Sequence, residues 1–386
     1  MSSYEQLLTA LLMNPPNPAE SQPLSNRRAT IFGTSLTFLV ISWMAVTFRF
    51  WVRLRVIREP GWDDAFIFVA ALCNTAATIC VCLSVHHGLG RHMLYIGPTN
   101  VERYLLLFYI EHSLYVTESV VIKVSLLLQY LRIFKAGVMR WLCIILLSIV
   151  SLWGLGFSIV AWFPCFPVRG SWERHIDAKC YGFGLGDVQS FVAMFKAHSA
   201  SNMTFDVVIF LTPMVLFGTT NLRLKNVLAM IGVFAFGAIV VATSVWRLCA
   251  IISTRAATQP YIDFTWWSPT VIILACLEID LAIICASMPI FWPIIEKSLS
   301  AIFVSFEVEI VEEHIDDYGL AYELEHTEGR NGRIQSISGT STQELSKEEE
   351  GGMVAKRDCN MGFDTLNEEP SVKTDIKSTP KPKWEL

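Results

Sequence analysis

Seven ionisable residues stand where the chain is otherwise apolar. Glu111, Glu118 and Lys123 lie in the run YLLLFYIEHSLYVTESVVIKVSLLLQYLRIF (Tyr104 to Phe134), Asp206 and Arg247 lie in or beside later apolar runs, and Glu278 and Asp280 lie in the last one. A charged side chain held at the centre of a bilayer costs about 2.5–3.5 kcal/mol, so these groups are expected to meet protein rather than lipid. Glu111 and Glu118 are seven residues apart and share one helix face, which Ser125 and Arg132 continue. Lys123 follows Glu118 by five residues, about 140° round the helix, so its partner belongs to another segment. Asp206, Glu278 and Asp280 are the candidates for Lys123 and for Arg247. Glu278 and Asp280 lie about 200° apart, so only one of them faces any given partner. Such a network can fix helix register, act as a lock whose breakage transmits a signal, or line a polar path for a substrate. The positions predict a cavity nearer the outer surface, faced by Glu111 and Glu118, above a locking half at Lys123.

Other chemistries find less support. A catalytic zinc needs histidines facing carboxylates across neighbouring segments. His86, His87, His92, His112, His175 and His198 all fall toward the predicted outer side, where scattered solvated histidines are expected, and no metal site is predicted. No Ser/His/Asp or Cys/His spacing suggests a nucleophile, so the chain is not expected to be an enzyme.

The elements that must position these residues are membrane spans. Of 386 residues 53% are hydrophobic and only 17% charged, with mean hydropathy +0.44, which exceeds a soluble domain of this size. Hydropathy predicts seven spans: Ala29 to Phe48, Ala65 to Val85, Tyr104 to Leu131, Trp141 to Phe163, Ala200 to Thr220, Val227 to Trp246 and Thr270 to Ile295. Runs this long and uniform exclude barrel strands and imply an all-α bundle, with residues 1–28 as a polar tail without a signal peptide, 29–298 as the membrane domain and 299–386 as a second tail. Gly61, Trp62, Asp63 and Asp64 precede the second span as turn, interface residue and helix caps. Short basic connections (Arg49, Arg53, Arg55 and Arg58; Arg132, Lys135 and Arg140; Arg223 and Lys225) favour an outside N-terminus and an inside C-terminus.

Cys165 and Cys180 share one predicted outer loop and are expected to pair, whereas the intramembrane cysteines are small packing residues. The sequon at Asn202 lies too near the bilayer for easy glycosylation. From Ala301 onward the chain carries net charge −10, against +5 before it, and reads as a disordered cytoplasmic segment with acceptor sites for phosphate at Ser336 to Thr342 and Ser378 to Pro380. The basic loops suit anionic headgroups of the bilayer or a cytoplasmic signalling partner; nothing calls for nucleic acid.

In order and spacing, Gly61-Trp62-Asp63-Asp64, Gly88-Leu89-Gly90-Arg91-His92 and Lys123-x-Ser125 running into Tyr130-Leu131-Arg132-Ile133-Phe134 resemble the fungal rhodopsin-like family of seven-helix membrane proteins. The likeness continues through Cys165, Pro167, Trp172 and Cys180, through Asn202, Asp206 and Pro213, and through Phe234, Gly237, Ser244 and Arg247 to Trp267, Glu278, Pro289 and Pro293. It implies a receptor-like protein of a multi-pass membrane, most simply the plasma membrane, sensing an unknown small-molecule or surface ligand. Several members of that family lie beside biosynthetic genes for toxins, which implies the alternative of transport, export or self-protection in secondary metabolism. Retinal is not expected, because the seventh span has no lysine for a Schiff base and Lys123 and Lys196 lie elsewhere; no other cofactor is implied. Pro213, Pro289 and Pro293 permit kinks that serve either role, and no repeat relates the two halves as in many transporters.

Overall fold

A computed structural model describes residues 9, 11–13, 15–17, 20–217, 224–259 and 261–302, with backbone alone for 213–217, 224–234 and 289–302. The chain divides into units Met1–Leu299 and Ser300–Leu386, the second holding only 300–302 of the described residues. The acidic tail and its phosphate acceptors therefore lie outside the described residues.

The long helices are α1 (Arg28–Trp51, continued by a wide turn over Val52–Ile57), α2 (Trp62–His86), α3 (Pro98–Ile133), α4 (Val138–Trp162), α5 (Val188–Phe217), α6 (Leu224–Ser253) and α7 (Phe264–Ile302). All but α5 are long and apolar enough to cross a membrane. The described part of α5 falls short because Lys196, His198, Asn202 and Asp206 dilute its apolar residues. The protein is thus a multi-pass helical membrane protein. Between α4 and α5, β1 (Cys165–Phe166) pairs antiparallel with β2 (Lys179–Cys180), and a disulfide joins Cys165 to Cys180. The end of the bundle that carries this ribbon is the disulfide end; the opposite one, at the α1–α2 turn, is the arginine end.

Local chemistry fixes the ends. Gly97, at φ 81°, and Pro98 open α3, since proline suits the first helical position and glycine the left-handed entry. Asp187 caps α5 by accepting the Ser190 N–H at 2.9 Å, so that helix begins twelve residues before the predicted Ala200. Likewise α1 continues past Phe48 and α6 past Trp246, which brings Arg49 and Arg247 inside helices. Hydropathy ended both segments at a charge that the fold in fact buries.

Indole and hydroxyl donors stitch neighbouring helices. Trp43 Nε1 donates to Thr75 Oγ1 (2.9 Å), joining α1 to α2; Ser113 Oγ donates to Ala161 O (2.9 Å), joining α3 to α4; Trp153 Nε1 donates to Ser201 Oγ (3.0 Å), joining α4 to α5. Gly154 of α4 lies against Val120 with no room for a Cβ, a close approach of the kind small residues allow between membrane helices. At the disulfide end the turn Gly88–His92 is tied down from several sides. The Gly90 N–H donates to Thr265 O (2.8 Å), Thr265 Oγ1 donates to Arg91 O (2.7 Å), and Gln22 Nε2 donates to Gly90 O (3.2 Å). Gly90 is at φ 88° with Asn26 O where a Cβ would stand, so both conformation and space require glycine.

Candidate functional site

Two buried ion clusters use most of the charges inside the bundle. The first is a layer across α3, α5, α6 and α7, the septum. Arg247 Nε lies 2.9 Å from Glu278 Oε2, and Lys123 Nζ lies 2.9 Å from Asp206 Oδ1. Asn202 joins the two pairs: its Oδ1 accepts from Lys123 Nζ (2.7 Å), and its Nδ2 donates to Glu278 Oε1 (2.7 Å) and Asp206 Oδ2 (3.2 Å). Tyr115 donates to Glu278 Oε1 (3.0 Å) and lies under the Arg247 guanidinium at 4.8 Å, while Ser244 donates to Asp206 and Arg247 Nη1 donates to Ser199. Two cations thus face two carboxylates, and each of the four has additional hydrogen bonds, as buried pairs require. Asn202 is wholly buried with both amide atoms engaged, which leaves its sequon inaccessible in this fold.

Asp280 faces away from this layer and accepts from Asn74 Nδ2 of α2 at 2.6 Å, so the two carboxylates of α7 do serve different neighbours. Glu118 is buried with its Oε2 lacking a hydrogen-bond partner, and does not join the septum.

A cavity lies on each side of the septum. At the disulfide end one is walled by Phe108, Tyr115, Phe195 and Trp267 together with Glu111 and Arg247. Its cavity volume is about 40 Å³. Glu111 faces it as expected from the helix spacing, but Glu118 is not in its wall; the seven residues between them also carry Glu118 about 10.5 Å further along the helix. Toward the arginine end the second cavity is lined by Lys123, Tyr130, Asp206, Phe210, Gly237 and Glu278.

The histidines require a correction. His92 and His198 are buried, His112 is half-buried, and only part of the set is solvated. His198 stacks on Trp153 at 5.5 Å, and His112 stacks on Phe195 at 4.6 Å. Their rings serve as aromatic packing; among the described residues no group of histidine, cysteine and carboxylates could hold a metal ion. His92 Nδ1 donates to Asp263 Oδ2 (2.8 Å), its ring stacks on Trp266 at 3.8 Å, and Glu20 approaches its Nε2 at 3.6 Å. Asp263, just outside α7, also accepts from the Met93 N–H (3.0 Å) and Thr265 Oγ1 (3.1 Å). Burial nevertheless raises its carboxyl above the usual carboxylate range, with the His92 and Met93 hydrogen bonds opposing.

The second ion cluster was missed. Arg49, fully buried, places Nη2 at 2.6 Å from Asp63 Oδ2, Nε at 2.7 Å from Asp64 Oδ1 and Nη1 at 2.6 Å from Ala286 O. Arg53 adds contacts of 2.9 Å to Asp63 and 3.3 Å to Asp64. Arg132 of α3 lies 3.7 Å from Asp63 and 2.9 Å from Glu59, and Ser125 Oγ donates to Asp63 O at 2.7 Å. Asp64 does cap α2, accepting the Gly61 N–H at 3.0 Å, but both aspartates are chiefly the anions of this clamp. The signal was present as two arginines four residues apart on a helix, facing an Asp-Asp pair across a short turn. Trp62, 78% exposed, is placed as an interface residue would be. Pro213 lies within α5 and Pro289 and Pro293 within α7, where the side chains are outside the described residues.

The fold and site define a multi-pass membrane protein with a buried polar layer under an aromatic cavity. A model of the fungal rhodopsin domain matches residues 48–297, and the chain belongs to that family. It is 22% identical over 230 residues to an SAT4 family membrane protein of Emericella nidulans, covering 58% of this chain and 55% of the relative. It is 25% identical over 285 residues to the polyenoic acids biosynthesis gene cluster protein Ba17b of Metarhizium anisopliae, covering 70% of this chain and 74% of the relative. The chain therefore spans about half the length of the first relative and about three quarters of the second. No solved structure matches it.

Proposed function

We propose that the chain is a receptor-like membrane protein with seven spans, α5 completing the set, its N-terminus outside and its acidic C-terminal tail inside the cell at the plasma membrane. It senses a ligand in the disulfide-end cavity and passes the state of that cavity through the septum to a cytoplasmic partner. The observation that carries this reading is the double role of Arg247, which is both cavity wall and partner of Glu278. A ligand that draws on the guanidinium changes what Glu278 offers to Tyr115 and Asn202, and Asn202 in turn holds Lys123 and Asp206. Packed layers of this kind have few alternative arrangements, which suits a switch. The reading needs no catalytic residue, metal or cofactor, and no nucleic acid; its partners are the bilayer, the ligand and the signalling protein.

Deleting Ile310–Leu386 tests it. The full chain and the shortened one are expressed in a filamentous-fungal host, and ligand binding to membranes is compared with the transcriptional response. Intact binding with a lost response is expected. A full response without the tail would refute coupling through it.

A second reading has one specific support, the relative named for a biosynthesis gene cluster. In it the chain is a membrane component of secondary metabolism that exports a metabolite or protects the producer from it, and metabolite flux is unchanged by the same deletion.

A further inference from the structure

The atoms left over in the cavity wall narrow the ligand. Arg247 uses Nε on Glu278 and Nη1 on Ser199; its Nη2 is buried with no hydrogen-bond partner, in a residue only 3% exposed. Trp267, in the same wall, has a buried Nε1–H that is also without a partner, and so does Nε2 of His112. Unsatisfied buried donors are rare because each forfeits hydration, and two of them on one cavity mark where a ligand acceptor belongs. The rest of the wall is apolar and aromatic, the usual lining for the body of a lipophilic molecule.

Charge decides which acceptor. Arg247 and Lys123 are matched one to one by Glu278 and Asp206, so the septum offers no net positive charge. Glu111, the other ionisable acid of the wall, brings no cation with it, so a ligand carboxylate would find no spare countercharge there. We infer that the cavity takes an uncharged, lipophilic carbonyl compound whose oxygen accepts from Arg247 Nη2 and Trp267 Nε1 while its apolar or aromatic body lies among Phe108, Tyr115 and Phe195. Trp267 and Val271 also line a groove between α6 and α7 with Trp246, 63% exposed, and Cys249 on its rim, so a molecule dissolved in the bilayer has an approach. The inference rests on the sensing site proposed above.

The test uses the full chain in lipid nanodiscs and radiolabelled benzophenone, a diaryl ketone that also photolabels its site. Unlabelled benzophenone, diphenylmethane (the same rings without oxygen) and 4-benzoylbenzoate (the ketone with a carboxylate) compete. Saturable labelling of peptides from α3, α5 or α7 is expected, with diphenylmethane and the benzoate each at least tenfold weaker as competitors. Trp267→Phe, which keeps a ring and removes the N–H, and Arg247→Lys, which keeps a cation opposite Glu278, should each weaken binding about tenfold. Absence of saturable labelling, equal competition by diphenylmethane, preference for the benzoate, or indifference of Trp267→Phe in folded protein would each overturn the inference. Ketone-dependent binding without a cellular response would refute the sensing reading alone, whereas a tail-dependent response without ketone binding would refute this inference alone.

Discussion

The septum and the arginine-end clamp are built from the same groups and differ in what surrounds them. In the clamp, Arg49 and Arg53 meet Asp63 and Asp64 across a short turn, so the partners are near neighbours in the chain, and Arg49 is further held by the Ala286 carbonyl. In the septum the partners come from α3, α5, α6 and α7, and a cavity opens on either side. A buried ion pair by itself says little about stability, because desolvation offsets most of its attraction. Surroundings therefore decide the role: a pair with no room to rearrange fixes geometry, and one between two voids can exchange partners.

Breaking one member of each cluster separates the roles. Asp64→Ala leaves Arg49 buried with half its countercharge and removes the Gly61 cap, and is expected to cost about 3–5 kcal/mol, seen as loss of monodisperse protein or a large fall in Tm. Normal yield and Tm would show that the clamp is dispensable and erase the contrast. Lys123→Met strands Asp206, which keeps Asn202 and Ser244 as donors, and is expected to cost about 2–3 kcal/mol. Adding Asp206→Leu should bring stability back to within about 1 kcal/mol of the wild type, since apolar replacement of a whole buried pair is often neutral. If the septum is a switch, that stable double variant binds ligand and gives no response; a normal response would reduce the septum to a structural brace.

How much of this was legible in the sequence follows from the range of each interaction. The apolar runs announced the bundle, and charge inside them announced the septum: Lys123, Asp206, Arg247 and Glu278 were all visible as misplaced ions. Which cation took which anion was not, because helix spacing gives a facing direction and no distance between helices. The clamp was hidden for the opposite reason. Arg49 and Arg53 lie where a span ends, and there a basic residue has a ready explanation as a loop charge. Asp63 and Asp64 likewise had a sufficient local role as caps. His112 and His198 were hidden by their type, since a histidine ring stacked among phenylalanines behaves as an aromatic residue and leaves no trace in a search for ligands.

The smallest predicted effect concerns a buried contact between a carboxyl and a histidine, beyond the apolar stretch of α7, which sharpens the comparison by adding a group whose charge can change. Asp263 accepts from His92 and from the Met93 N–H, yet burial still raises its carboxyl above the ordinary value of about 3.9. The folded state then holds the Asp263 proton at pH values where the unfolded chain has released it. The contribution of this titration is therefore fully present in acid and is lost as pH rises through the folded value, the reverse of a carboxylate stabilised by a salt bridge. Asp263→Asn removes the titration and keeps an acceptor for Met93. Subtracting its stability from that of the wild type at each pH should give a difference that shrinks on going from about pH 4 to pH 7 in thermal unfolding of detergent-solubilised protein. A difference that grows over that range would mean that the ionised Asp263 is the stabilising form, and that the His92 contact behaves as a true ion pair like those of the clamp.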